Sequence, residues 1–159
     1  MNSLEKKFNF GVVSAGRIYR SRQPDKEFLE YLKKKYNIKT IVVLRTNLDE
    51  SEKEFCQNNG IQLIKLPVKR WRRWPEPKGI QDFFRLLDKR DCCPVLVHCW
   101  HGKDRTSALI ALYRLGYENW KFKEAINEMK HWKANWLCRL FIRTHAYKIL
   151  AGLEGKNTS

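Results

Sequence analysis

The chain has 159 residues, enough for one domain with a continuous core and too few for a second of similar size. Hydrophobic residues at 43% and charged residues at 31% exclude intrinsic disorder, and a net charge of +15 favours polyanionic partners: nucleic acid, anionic membrane surfaces or phosphorylated substrates. The opening MNSLEKKFNF lacks a signal peptide's apolar run, and no stretch approaches a membrane span. Five cysteines without a CxxC pair argue against a disulfide framework or a zinc site, so the chain reads as a reduced, cytoplasmic protein.

In chain order, VVSAGRIYRS (12–21) reads as a short hairpin, and Phe28, Leu29 and Leu32 stripe the first helix. IKTIVVL (38–44) is a β-branched run expected to form a buried strand. ESEKEFCQNN (50–59) is a helix stopped at Gly60, and IQLIKLP (61–67) the next strand. Ile80, Phe83, Phe84 and Leu87 mark one face of a helix over about 79–90, and PVLVH (94–98) is a third buried strand. TSALIALYRLG (106–116) is expected as a helix with a capping hydroxyl in front and Gly116 behind. Phe122, Ala125, Ile126 and Met129 share the face of another helix. Trp136, Leu137, Leu140, Phe141, Ile149 and Leu150 mark the last, with Trp132 and Trp136 read as core or helix-interface positions.

The alternation predicts an α/β fold with a mainly parallel central sheet flanked by helices, one domain over 1–159, with 1–8 and 153–159 as flexible termini. Ligands of such sheets bind beyond the carboxyl ends of the strands, which places the site at His98–Thr106. The charge is uneven around that segment. Residues 61–90 carry nine basic and three acidic side chains and 111–148 carry eight and three, whereas 91–110 are balanced at two and two.

The segment His98-Cys99-Trp100-His101-Gly102-Lys103-Asp104-Arg105-Thr106 has the makings of an anion cradle. Backbone N–H groups in a tight loop can converge on one oxyanion, and a helix N-terminus adds positive potential. Gly102 permits the positive φ or close approach that such a loop needs. Arg105 can grip two phosphate oxygens with its planar fork, and the same field favours the thiolate of Cys99.

These residues resemble the Cys-x5-Arg signature of cysteine-dependent phosphatases, in its His-Cys-x-x-Gly-x-x-Arg-Thr form. IYRSRQP (18–24) and IVVLR (41–45) are similar to the opening segments of small dual-specificity-like phosphatases. The resemblance implies a single dual-specificity-like phosphatase domain in which Cys99 attacks phosphorus and water then hydrolyses the phosphocysteine. It implies that Arg105 and the loop amides hold the equatorial oxygens, that Thr106 hydrogen-bonds the sulfur, and that no metal or cofactor is required. His98 reads as a buried residue that orders the loop rather than as a proton carrier.

The general acid is expected to be Asp104. The Asp-Arg-Thr ending resembles myotubularin-type lipid phosphatases and some bacterial phosphatases with an in-loop Asp, and a carboxyl beside bound phosphate is favoured in its protonated form. The alternative is Glu76, in Trp74-Pro75-Glu76, which resembles the Trp-Pro-Asp loop of tyrosine phosphatases. Lys69, Arg70, Trp71, Arg72, Arg73 and Trp74 are expected to grip further phosphates, stack on bases or contact an anionic membrane, with Arg72 and Arg73 as substrate ligands.

Trp100, His101, Gly102 and Lys103 complete the expected phosphate site. The basic residues within it resemble lipid-phosphatase cradles, and Cys-x-His-Gly also resembles RNA 5′-triphosphatases. The favoured substrates are phosphotyrosine proteins or phosphoinositides, with an RNA 5′ end or a non-catalytic phosphate-binding module as alternatives. Cys56, Cys92, Cys93 and Cys138 read as buried thiols, with Cys92 or Cys93 able to form a protective disulfide with an oxidised Cys99. His131 and His145 read as helix-surface or packing residues.

Overall fold

The computed structural model describes residues 2–68 and 77–154. Strands β1 (Gly11–Ser14), β2 (Ile18–Ser21), β3 (Thr40–Val43), β4 (Gln62–Lys65) and β5 (Val95–His98) form a sheet in the order β1-β2-β5-β3-β4. β2, β5, β3 and β4 run parallel, and the predicted hairpin supplies the antiparallel β1–β2 pair. β2, β3 and β5 are buried along their whole length, the β-branched β3 and β5 as expected of central strands in a sheet covered on both faces, and β2 with Arg20 and Ser21 buried in it.

Helices α1 (Ser3–Lys7), α2 (Lys26–Tyr36) and α3 (Glu50–Asn58) cover one face; α4 (Pro77–Asp88) and α5 (Asp104–Gly116) cover the other, with α6 (Phe122–His131) and α7 (Trp136–Glu154) packed on their outer side. Strand alternation divides the core between them. Ile41, Val43 and Leu96 meet Phe28, Leu32 and Phe55 on the first side, whereas Val42, Val95 and Val97 meet Phe83, Leu109 and Ile110 on the second.

Three expectations need correction. Residues 1–8 include a docked helix rather than forming a flexible end. A capping box joins Asn2 and Glu5, and the buried Glu5 carboxylate accepts bonds from Tyr36 Oη (2.5 Å), Tyr31 Oη (2.7 Å) and Lys35 Nζ (3.0 Å). Burial would raise its pKa, but the bonds from Tyr36, Tyr31, Lys35 and Asn2 outweigh it and hold the carboxyl at about 2.

The second correction concerns α5, which begins at Asp104 with no side-chain cap; Thr106 lies inside the helix, and so does Gly116. A Cβ on Gly116 would stand 2.5 Å from Leu150 Cδ2, so close helix packing, rather than termination, accounts for the glycine. The third is α7, whose buried face is Cys138, Ile142 and Ala146 with Phe141, Ile149 and Leu150 packed beside them as expected, while Trp136, Leu137 and Leu140 are exposed. Trp132 is half-buried, as expected of an interface position.

Candidate active site

β5 lies between β2 and β3 with Ser21, His98 and Val43 level with one another, so the loop from Cys99 to Lys103 leaves the carboxyl edge of the sheet. Leu44 N–H donates to His98 O (2.9 Å) and Gln23 N–H to Trp100 O (3.2 Å), pinning the loop from both sides. Gly102 has φ +66°, and a Cβ there would stand 2.5 Å from the Ser21 carbonyl and 2.6 Å from Arg22 N. Those neighbours are backbone and cannot swing away, so the position demands glycine. Cys99 is 4% exposed, and Thr106 Oγ1 donates to its Sγ at 3.2 Å. Cys99, Trp100, His101, Asp104 and Arg105 line a cavity of about 320 Å³. A larger depression of about 540 Å³, between α2 and α3, contains none of these residues.

Arg20 braces the loop from below. Its Nη2 donates to Gly102 O (2.7 Å) and Ser107 Oγ (2.8 Å), its guanidinium stacks 4.2 Å from the Trp132 ring centroid, and the side chain is buried. Burial pushes the Arg20 pKa down to about 9, against the opposing pull of Glu128 and Cys99. In the sequence Arg20 stands within VVSAGRIYRS and IYRSRQP without a role of its own; the signal for one is a cation inside an otherwise buried strand.

A second set of side chains joins the loop's rim to its base. The Arg45 guanidinium lies 4.4 Å from the Trp100 ring centroid and donates through Nη1 to Gln23 Oε1 (2.9 Å). Gln23 Nε2 donates to Glu52 Oε2 (2.9 Å), and Glu52 Oε1 lies 2.8 Å from His98 Nε2. That last pair is buried and in close contact but off the N–H direction, so proximity rather than an aligned hydrogen bond joins it. His98 is thus buried beneath the cradle and Nδ1 lies 3.4 Å from Cys99 O. Arg45 stands in the sequence only as the end of the IVVLR resemblance, with no role attached, and Glu52 has no distinguishing signal, being one charge among several at a helix start.

Asp104 reaches the cavity while its Oδ1 accepts from Asn135 N–H at 2.6 Å; Asn135 in turn caps α7 by accepting from Cys138 N–H (2.8 Å). Lys103 and His101 are exposed at the rim. Arg72, Arg73 and Glu76, with the rest of the 69–76 loop, lie outside the described residues.

The proposed disulfide partners are overturned: Cys92 and Cys93 precede β5 and Cys99 follows it, about 20 Å apart at the strand's rise, far beyond bridging distance. They are half-buried rather than buried. Cys56 and Cys138 are buried as expected, and burial pushes both thiols up to about 12, which keeps them unreactive. His131 and His145 are exposed. Among the described residues no cluster of three His, Cys, Asp or Glu is placed to hold a metal ion.

Residues 6–151 match the model of a family described as "Tyrosine phosphatase family". The inositol diphosphatase DSP4 of Arabidopsis thaliana is 29% identical over 133 residues, covering 79% of this chain and 64% of its own. The dual specificity protein phosphatase TpbA of Pseudomonas aeruginosa is 26% identical over 115 residues, 72% of this chain and 50% of its own. This chain thus spans about half to two thirds of the length of the curated relatives it matches. The catalytic core of SIW14 from S. cerevisiae, described as a PP-IP phosphatase, superposes with a TM-score of 0.77 at 26% identity, covering 94% of this chain and 93% of that one.

Proposed function

The chain belongs to the tyrosine phosphatase family, and on that footing we propose that it removes phosphate from inositol rings carrying several phosphates, through a phosphocysteine on Cys99. The observation that carries the reading is the cavity in which Cys99, Asp104 and Arg105 meet, with the Thr106 hydroxyl on the sulfur. The Cys99 thiolate attacks phosphorus, forming the S–P bond as the P–O bond to the leaving group breaks. Arg105 and the loop amides hold the three equatorial oxygens and stabilise the charge that develops on them. Water then attacks the phosphocysteine, releasing inorganic phosphate and returning the electron pair to sulfur, which the Thr106 hydroxyl stabilises as it leaves.

Asp104 is the proposed proton donor. With Oδ1 engaged by Asn135 N–H, Oδ2 is the oxygen left to face the leaving group. A leaving phosphate has a pKa of about 6, against about 10 for a tyrosine phenol, so the proton from Asp104 would matter less on a diphosphate than on a phosphotyrosine or a ring monoester. Support for an inositol substrate comes from relatives named for inositol diphosphatase and PP-IP phosphatase activity. The basic segments flanking a neutral catalytic block suit a multiply charged substrate.

A panel of soluble inositol diphosphates, phosphoinositide vesicles, phosphotyrosine peptide and 5′-triphosphorylated RNA tests this. The expected result is a kcat/KM at least tenfold higher for an inositol substrate, the first two arms separating the free from the lipid-borne ring. Higher activity on phosphotyrosine or RNA reverses the assignment, and phosphate binding without turnover makes the chain a binding module. Asp104→Asn should slow a substrate with a poor leaving group; if Glu76→Gln alone does so, Glu76 is the acid.

A further inference from the structure

Four of the six exposed large hydrophobic side chains among the described residues belong to α7: Trp136 (64%), Leu137 (50%), Leu140 (46%) and Tyr147 (66%). The helix is already seated on the molecule through Cys138, Ile142 and Ala146, so Trp136, Leu137 and Leu140 form an outward surface, which Tyr147 extends while one side of its ring stacks on Phe122 of α6 (5.8 Å between centroids). At 3.6 residues per turn Trp136, Leu140 and Tyr147 fall within about 40° of one another. Leu137 and Thr144 lie beside them, with Arg143 on one border of the stripe and Lys148 on the other. From 136 to 152 the helix carries no acidic residue.

Nearby carboxylates do not neutralise this border. Glu118 and Glu128 both pair with Arg114, and Glu124 bonds the backbone N–H of Lys121 at the start of α6. Glu124 keeps its charge, yet the eight basic residues of 111–148 outnumber its three acids, and two of those three are paired with Arg114.

We propose that this face of α7 docks on an anionic lipid surface. Trp136, Leu137, Leu140 and Tyr147 enter the boundary between headgroups and acyl chains, while Arg143 and Lys148 meet lipid phosphates on either side. Aromatic rings with a polar edge suit that boundary, which is wet on one side and apolar on the other. The helix lies on the bilayer, since no described helix is long and apolar enough to cross one. A second copy of this chain is a poorer occupant, because it would set Arg143 and Lys148 against the same cations on a molecule that also carries +15. Since the Asn135 N–H that precedes α7 holds Asp104, the docking helix adjoins the cradle directly.

Co-sedimentation of the full chain with vesicles tests the proposal. Phosphatidylcholine vesicles containing phosphatidylserine should bind at least tenfold more tightly than phosphatidylcholine alone, and binding should weaken with salt. Leu137→Glu with Leu140→Glu should lower binding at least tenfold without changing hydrolysis of a small soluble phosphate ester or the thermal melt. Arg143→Gln with Lys148→Gln should remove most of the preference for anionic vesicles. No binding to anionic vesicles, or binding that survives the glutamates, overturns the proposal. So does a concentration-dependent dimer that the same glutamates abolish, which would make the face a contact between copies.

Discussion

α5 and α7 are two helices rich in apolar residues that meet at the cradle, yet they use those residues in opposite ways. α5 is buried from Thr106 to Leu115, with Leu109, Ile110 and Tyr113 on the sheet and Ala108, Ala111 and Leu112 under α6 and α7. α7 buries Cys138, Ile142 and Ala146, rests Phe141, Ile149 and Leu150 against the same cluster, and turns Trp136, Leu140 and Tyr147 outward. The low surface of α5 shapes this contact. Ala108, Ala111 and Gly116 let α7 come near enough for its small residues to sit between the helices and for Leu150 to lie over Gly116. Apolar content therefore shows that a helix is in contact with something, and only the fit shows with what.

The largest effects should appear where α5 meets the loop. Cys99→Ser should lower kcat/KM by a factor on the order of 10⁴ or more, and Arg105→Lys, which keeps the charge but loses the fork, should lower it severely. On the α7 side, Leu137→Glu with Leu140→Glu should leave kcat/KM for a small ester within about twofold of wild type. Loss of activity there would remove the distinction between the two helices.

Stability should divide in the same way. Leu109→Ala, at a fully buried site, should cost about 3–4 kcal/mol in urea unfolding, whereas Leu140→Ala should cost less than about 0.5 kcal/mol. Equal losses would mean that the outward face of α7 is packed in solution.

The opposite face of the sheet provides a smaller, pH-dependent contrast. Glu5 titrates at about 2 when folded, below its ordinary 4.5, so its ionised form stabilises the fold above pH 4.5. That contribution, up to about 3 kcal/mol, should fade as the pH falls from about 5 to 2. Glu5→Gln should be less stable at pH 7 and should flatten that part of the stability–pH curve, while Leu140→Ala leaves its slope unchanged.

Much of this organisation is legible in the sequence. Continuous β-branched runs mark β3 and β5, because strands covered on both faces need no polar alternation. Cys99, Gly102, Arg105 and Thr106 stand out because the proposed phosphate cradle would need those residue types at that spacing. What stays hidden depends on long-range contact. The Asn2–Glu5 cap is a local signal, but only Tyr31, Lys35 and Tyr36 make it a docked helix. Arg20 and Glu52 are ordinary charges until the fold buries them beneath the loop. On α7 Phe141, Ile149 and Leu150 pack inward as large apolar residues ordinarily do, whereas Trp136, Leu137 and Leu140 stand outward and advertise the wrong face.

The proposed nucleophile can be tested directly by acid-quenching the enzyme during incubation with the proposed inositol diphosphate substrate and mapping any covalent phosphate by mass spectrometry. Phosphate on Cys99 in the wild type, accumulating further when Thr106→Ala slows the second step and absent from Cys99→Ser, is the predicted result. Phosphate on another residue, or undiminished turnover by Cys99→Ser, would contradict it.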